Sequence, residues 1–288
     1  MGNFGRNDLR VSVIGSGVMG KGIVSLLCAN NFVTHINWVG KDGVSVGARA
    51  SVERDLKRLT RRSVITEEQY SQGLDKLEIN IDLCCVSGDD MIIEAIIESQ
   101  MPKQKLFIEL SNYVSEEAIV ATNTSSLSIT SLGMELPHPE NFVGIHFFNP
   151  ALQMLLVEVV AGHLTSKETI GKAVKFAEKL GKTPVVVNES PGFIVNRMLI
   201  PMINEAVSIY AEGVASKEEI DKAMKNGANH PLGPLALADL IGNDICLSIM
   251  ETLYAETGDP KYRAHPLLRK MVRAHHLGRK TNIGFYIY

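Results

Sequence analysis

Cysteine is scarce in this chain. Its 288 residues hold four, two of them adjacent at Cys84 and Cys85 and none in a C-x-x-C spacing. That excludes a disulfide framework and a cysteine zinc site, and the four read as buried thiols of a reducing compartment. Charge of one sign is also lacking: 29 Lys and Arg against 32 Asp and Glu leave a net charge of -3. No general field draws nucleic acid to such a surface, so no nucleic-acid partner is expected. Nowhere do about 18 apolar residues run together, and the first ten residues carry charges without an apolar stretch. A cytoplasmic protein with no membrane span and no secretion signal is the expectation. What remains is an ordinary globular composition, 45% hydrophobic and 21% charged, long enough for one large domain or two modest ones.

Two halves differ in pattern. Short Val/Ile-rich runs occur at 11–14, 33–39, 91–97, 118–121, 142–148, 155–160 and 184–187, separated by helical stretches. Runs apolar on both faces and interleaved with helices predict a parallel sheet covered on both sides, a doubly wound α/β fold. After Ser190-Pro191-Gly192 the strand signal stops. Helical spacing takes over in Phe193–Ala211, Lys217–Lys225, Leu235–Thr257 and Leu267–Leu277. Residues 1–188 therefore read as a sheet domain and 189–288 as an all-helical domain that buries its core against the sheet domain, a second subunit, or both.

Gly15-Ser16-Gly17-Val18-Met19-Gly20 follows the first strand and opens a helix. In that context Gly15 suits the tight turn, Gly17 close approach of the backbone to a pyrophosphate, and Gly20 close packing of helix on strand. A phosphate then sits on the helix N-terminus. Gly15, Gly17, Val18, Met19 and Gly20 are thus candidate cofactor contacts; a plain Gly-rich turn is the alternative. An acid for the adenosine ribose is expected at the end of the second strand, but the chain there reads Trp38-Val39-Gly40-Lys41, with Asp42 two residues beyond Gly40. Lys41 would tolerate a 2′-phosphate or is a solvated turn residue, and NAD and NADP both stay open.

Two ionisable residues interrupt apolar strands. His146 ends Phe142-Val143-Gly144-Ile145, and Glu158 lies within Leu155–Val160. A carboxylate among Leu and Val needs a partner, and the histidine twelve positions earlier is the natural one. A Glu on one ring nitrogen fixes the tautomer and leaves the other nitrogen for a substrate proton; a structural buried pair fits equally. The cluster Thr122-Asn123-Thr124-Ser125-Ser126 follows a strand, where ligands of such folds bind, or else caps the helix after Ser128. Asn196 stands on the first helix after the junction, a placement that suits an interdomain cleft. The basic run Lys57-Arg58-Leu59-Thr60-Arg61-Arg62 is a solvated helix face or a patch for a phosphorylated ligand.

Taken together, these blocks resemble the 3-hydroxyacyl-CoA dehydrogenase family, in particular its short, stand-alone bacterial 3-hydroxybutyryl-CoA dehydrogenases. The blocks are Val13–Gly20, Ile93–Glu98, Asn123–Leu127, His146-Phe147-Phe148-Asn149-Pro150, Ser190–Arg197, Leu277–Thr281 and Gly284-Phe285-Tyr286. The resemblance implies a Rossmann-type sheet domain followed by a helical one, with hydride transfer between NAD(P) and a short (S)-3-hydroxyacyl-CoA. It implies His146 as the base, Glu158 as its orienting partner, and Ser125 and Asn196 as contacts to substrate oxygens. Glu98, Lys103, Asn123, Asn149 and Lys280 fall at cofactor positions, Arg58 and Arg62 near the CoA phosphates. It also implies a homodimer through the helical domain. Three departures stand out: the missing acid after the second strand, Thr281-Asn282-Ile283-Gly284 where the family has Thr-Gly-x-Gly, and Ala274-His275-His276 where it has Ala-Gly. The two histidines are expected to face solvent rather than bind metal. Other readings are a dehydrogenase of a non-CoA hydroxy acid such as gulonate, or an NAD(P)-binding protein without catalysis. The intact His146, Glu158, Ser125 and Asn196 set argues against the last.

Overall fold

The computed structural model describes residues 8–40, 44 and 46–288. The chain divides into two compact units, Met1–Glu189 and Ser190–Tyr288. Among the described residues the first is built on eight strands. In chain order its elements are β1 (Leu9–Ile14), α1 (Val18–Cys28), β2 (Val33–Val39), α2 (Val46–Arg61), α3 (Glu67–Asp75), β3 (Leu77–Asn80), β4 (Met91–Glu94), α4 (Gln100–Leu110), β5 (Ile119–Thr122), α5 (Ile129–Gly133), β6 (Phe142–Phe147), β7 (Leu156–Ala161), α6 (Lys167–Lys179) and β8 (Thr183–Asn188). They lie in the order β3-β2-β1-β4-β5-β6-β7-β8. The winding reverses between β1 and β4, and at such a switch the loops leaving the carboxyl ends of the two strands part and open a crevice.

The central strands are mostly apolar because helices cover both faces. All residues of β4, β5 and β6 are buried. Helix α1 contributes Ile23, Val24 and Leu27, and α6 contributes Ala173, Phe176 and Ala177, each larger side chain worth about 1.5–3 kcal/mol when fully buried. Phe176 meets Phe32 edge-on at 6.0 Å, and Phe107 of α4 meets Phe142 at 5.1 Å.

All seven expected strands are present, with shifted ends, and β3 is an eighth. The strand expected to reach Ile97 stops at Glu94, whose own carboxylate takes the Ile96 N–H at 2.7 Å and turns the chain out of the sheet. The expectation of a parallel sheet holds for every strand pair described but one. β6 and β7 run antiparallel, because the stretch between Phe147 and Leu156 holds no helix and is too short for a parallel crossover. The cysteine expectation also holds only in part: Cys28 and Cys246 are buried, and burial pushes both thiols up to about 12, whereas Cys84 is exposed and Cys85 half-buried.

The second unit contains α7 (Val195–Ala211), α8 (Lys217–Gly227), α9 (Pro234–Ile241), α10 (Asn243–Thr257) and α11 (Pro266–Arg273), packed around Ile203, Val207, Leu235, Met250, Leu253 and Leu268. Left-handed Gly192 and Phe193 delay α7 to Val195. The single helix expected over Leu235–Thr257 is two, broken at Gly242 with φ +111°. Buried carboxylates close this unit. Asp221 accepts the free N–H groups of Leu235 and Ala236 at 2.8 and 2.9 Å, at the start of α9, together with the Tyr286 hydroxyl. Asp239, 1% exposed, accepts Phe285 N at 2.9 Å, Tyr286 N at 2.8 Å, the Asn243 amide and the Tyr288 hydroxyl. Among the described residues no helix is long and apolar enough to cross a membrane.

Candidate active site

The β6–β7 hairpin puts His146 directly opposite Glu158. Nδ1 of the imidazole lies 2.8 Å from Oε2 of the carboxylate, with the two residues 6% and 1% exposed. An Nδ1–H donated to Glu158 leaves the lone pair of the neutral ring on Nε2, so the carboxylate sets the tautomer. The Phe148 ring packs on the imidazole at 4.4 Å. A proton acceptor held against a fixed negative charge in a water-poor pocket is what proton abstraction from a hydroxyl requires.

Neighbouring strands bring the polar cluster toward this pair. Asn123, just after β5, accepts the Phe147 N–H at 2.9 Å, while its own N–H bonds Glu94 O at 2.8 Å. Its side chain thus ties the ends of β5 and β6 together beside His146. Ser125 lies two residues on and meets Glu98, which follows β4: Oε1 of Glu98 accepts Thr124 Oγ1 at 2.6 Å, Ser125 N at 2.8 Å, and the Ser125 and Ser126 hydroxyls at 3.2 Å. Burial raises the carboxyl of Glu98, but the Lys103 ammonium and these donors outweigh it and hold the group below its usual range. Lys103 is 1% exposed, and its ammonium lies 2.5 Å from Glu94 and 3.4 Å from Glu98. Asn149 is exposed just past β6.

The glycine loop leaves β1 at the switch. Gly15 has φ +124°, and a Cβ there would overlap the Ala95 carbonyl; one on Gly20 would overlap the Gly15 carbonyl. Gly17 differs, because its Cβ would project into open space. It is the N-cap of α1 and offers no side-chain acceptor to that helix. Beneath the loop the Trp38 indole N–H donates to Gly15 O at 2.9 Å. Val18 is exposed at the mouth of α1, and Met19 packs on the core. Lys41 and Asp42 lie outside the described residues.

Arg58 near the end of α2 and Arg62 just beyond it are both exposed, as are Lys57 and Arg61. In the helical unit Asn196 is half-buried in the first turn of α7. There too Lys280 pairs with both oxygens of Asp244, at 2.5 and 2.6 Å. His275 is exposed with φ +57°, and His276 is half-buried. Sequence reasoning passed over Glu94, Trp38 and Asp244. The signal for Glu94 was available, since a carboxylate inside Met91–Ile97 is the same anomaly that marks Glu158.

A sheet of this winding, opened by this glycine loop, defines a dinucleotide-binding α/β protein, and it holds a buried His/Glu pair. Two family models match the chain: 3-hydroxyacyl-CoA dehydrogenase, NAD binding domain, over residues 10–190, and 3-hydroxyacyl-CoA dehydrogenase, C-terminal domain, over 192–288. The chain belongs to the 3-hydroxyacyl-CoA dehydrogenase family of oxidoreductases. It is 48% identical over 282 residues to a 3-hydroxybutyryl-CoA dehydrogenase of Clostridioides difficile, covering 97% of this chain and 99% of that protein. A 3-hydroxybutyryl-CoA dehydrogenase of Bradyrhizobium diazoefficiens is 45% identical, with 97% and 95% covered. The crystal structure of (S)-3-hydroxybutyryl-CoA dehydrogenase from Ralstonia eutropha superposes with a TM-score of 0.91 at 42% identity, over 97% of this chain and 98% of that one. The family's nicotinamide cofactor suits the geometry: Gly17 leaves open space and the helix start has no side-chain cap, the conditions a pyrophosphate needs.

Proposed function

We propose that this protein interconverts a short (S)-3-hydroxyacyl-CoA and its 3-oxoacyl-CoA, with 3-hydroxybutyryl-CoA and acetoacetyl-CoA as the pair, using NAD or NADP. The observation that carries the reading is the buried 2.8 Å contact between His146 and Glu158. In the oxidative direction His146 Nε2 takes the 3-hydroxyl proton, and Glu158 stabilises the imidazolium that forms. The bound nicotinamide supplies the hydride acceptor. On reduction His146 returns the proton to the substrate oxygen.

Ser125 and Asn196 donate to substrate oxygens in this reading. Gly15, Gly17, Val18, Met19 and Gly20 hold the dinucleotide, with Lys41, Glu98, Lys103, Asn123, Asn149 and Lys280 as further contacts. Exposed Arg58 and Arg62 attract the phosphates of CoA, which favours an acyl-CoA over a free hydroxy acid. No acid ends β2, which supports NADP as readily as NAD; an NADH preference of about 10⁴ in kcat/KM, typical of a site with a dedicated hydrogen-bond partner, would exclude NADP. Exposed Met198, Val214, Leu240 and Ile245 of the helical unit support a homodimer formed through it, which sedimentation at micromolar concentration tests.

The deciding assay is NADH or NADPH oxidation with acetoacetyl-CoA, compared between wild type and His146→Ala. The variant is expected to lose orders of magnitude in kcat while binding cofactor nearly as before. Loss of cofactor affinity with turnover of the bound complex intact overturns the assignment of the base.

A further inference from the structure

We propose that Glu94 is a positioning residue for the cofactor- and substrate-facing cluster, acting through Lys103 and Glu98. The inference rests on the reading of Glu98 and Ser125 as ligand contacts. Glu94 is the last residue of β4 and has no exposed surface. Both of its oxygens are used: Oε1 accepts Ile96 N at 2.7 Å and the Lys103 ammonium at 2.5 Å, and Oε2 accepts the Thr122 hydroxyl at 2.6 Å. Thr122 is its register partner on β5.

The three contacts do different work. The bond to Ile96 sets the turn that carries Glu98 away from the sheet. The bond to Thr122 fastens the end of β5, from which Asn123 and Ser125 project. Lys103 then bridges Glu94 to Glu98, and Glu98 gathers Thr124, Ser125 and Ser126. A buried lysine between two carboxylates has its position fixed by both. Removing the inner one leaves Lys103 to swing toward Glu98 and shift the loop that Glu98 holds. A carboxylate serving only the sheet would need none of the outward half of this chain. Asp89, just before β4, is such a case: it is 2% exposed and holds Ser12, Asn37 and Arg10 on β1 and β2.

The test compares Glu94→Gln with Asp89→Asn, both measured as the full-length protein. Cofactor Kd is read from quenching of Trp38, the one tryptophan of the chain, on titration with NADH and with NADPH; kcat is read with acetoacetyl-CoA. For Glu94→Gln, Kd is expected to weaken and kcat to fall, each about tenfold or more, the effect typical of residues that orient a site's contact groups. Asp89→Asn is expected to lower Tm and leave both values intact. Unchanged Kd and kcat in folded Glu94→Gln, or losses matched by Asp89→Asn, overturn the proposal. Where Glu94→Gln does not fold, Thr122→Val decides: weaker cofactor binding at an unchanged Tm supports the role, and unchanged binding and turnover refute it. The binding arm needs no substrate, so it judges Glu94 even where the wild type fails to reduce acetoacetyl-CoA.

Discussion

Replacing Glu158 with Gln changes one charge and almost no volume. The amide oxygen can still accept Nδ1–H from His146, so the tautomer survives if the amide is oriented that way. What disappears is the negative charge beside the imidazolium formed as the hydroxyl is deprotonated. Two unit charges about 4 Å apart interact by about 4 kcal/mol at an effective dielectric constant near 20. Since about 1.4 kcal/mol is tenfold in rate, kcat should fall by about 10³. Stability should move little or rise, because a carboxylate 1% exposed is costly to bury beside a neutral imidazole. Steady-state reduction of acetoacetyl-CoA, with Tm measured on the same sample, reads both quantities. A variant within about threefold of wild-type kcat, by the same arithmetic worth under about 1 kcal/mol, refutes the electrostatic role and leaves the pair a structural one.

Other perturbations give distinct signatures. The Glu98 carboxyl is held below its ordinary value of 4.5, so it contributes stability that is present above that pH and lost as pH falls through the lowered value. The Tm gap between wild type and Glu98→Gln should therefore hold above the ordinary value of 4.5 and narrow as pH falls below it, and a gap that widens on acidification contradicts the assignment. Trp38→Phe removes the bond to Gly15 O and should destabilise the protein by about 1–3 kcal/mol in chemical unfolding while weakening cofactor binding, read from NADH fluorescence because the variant has no tryptophan. Unchanged Kd would show that the loop holds its shape without the indole. Charge reversal at Arg58 and Arg62 should raise KM for acetoacetyl-CoA severalfold, more at low salt than at high, with kcat unchanged. An unaltered KM in 20 mM salt removes these residues from the CoA site.

Much of the sheet was readable because each long strand is an apolar run between helices. β3 was not, since Leu77-Glu78-Ile79-Asn80 is short and half polar and only Leu77 is buried. The antiparallel turn of β7 was unreadable for another reason: strand direction depends on what the connection can span, and an apolar run is silent about that. His146 and Glu158 stood out because ionisable groups are anomalous in such runs. Glu94 escaped because its neighbours were absorbed into a family block and its partner Lys103 lies on a helix rather than a strand. The break at Gly242 looked like continuous helix, as one glycine does little to a 3.6-residue period, and only its positive φ ends α9.

The clamp on Asp239 also bears on the order in which the protein can be made. Every strand of the sheet has been synthesised before Ser190, and units of a chain commonly fold in order from the N-terminus as they emerge. The helical unit cannot follow suit. The buried carboxylate of Asp239 draws two of its donors from the backbone of Phe285 and Tyr286, residues translated 46 and 47 positions after it. Until those donors leave the ribosome, Asp239 stays hydrated and the core around α9 stays open, so the second unit closes only after Phe285 and Tyr286 have emerged. Slowed elongation between Asp239 and Phe285 would therefore prolong the exposure of an apolar helical surface.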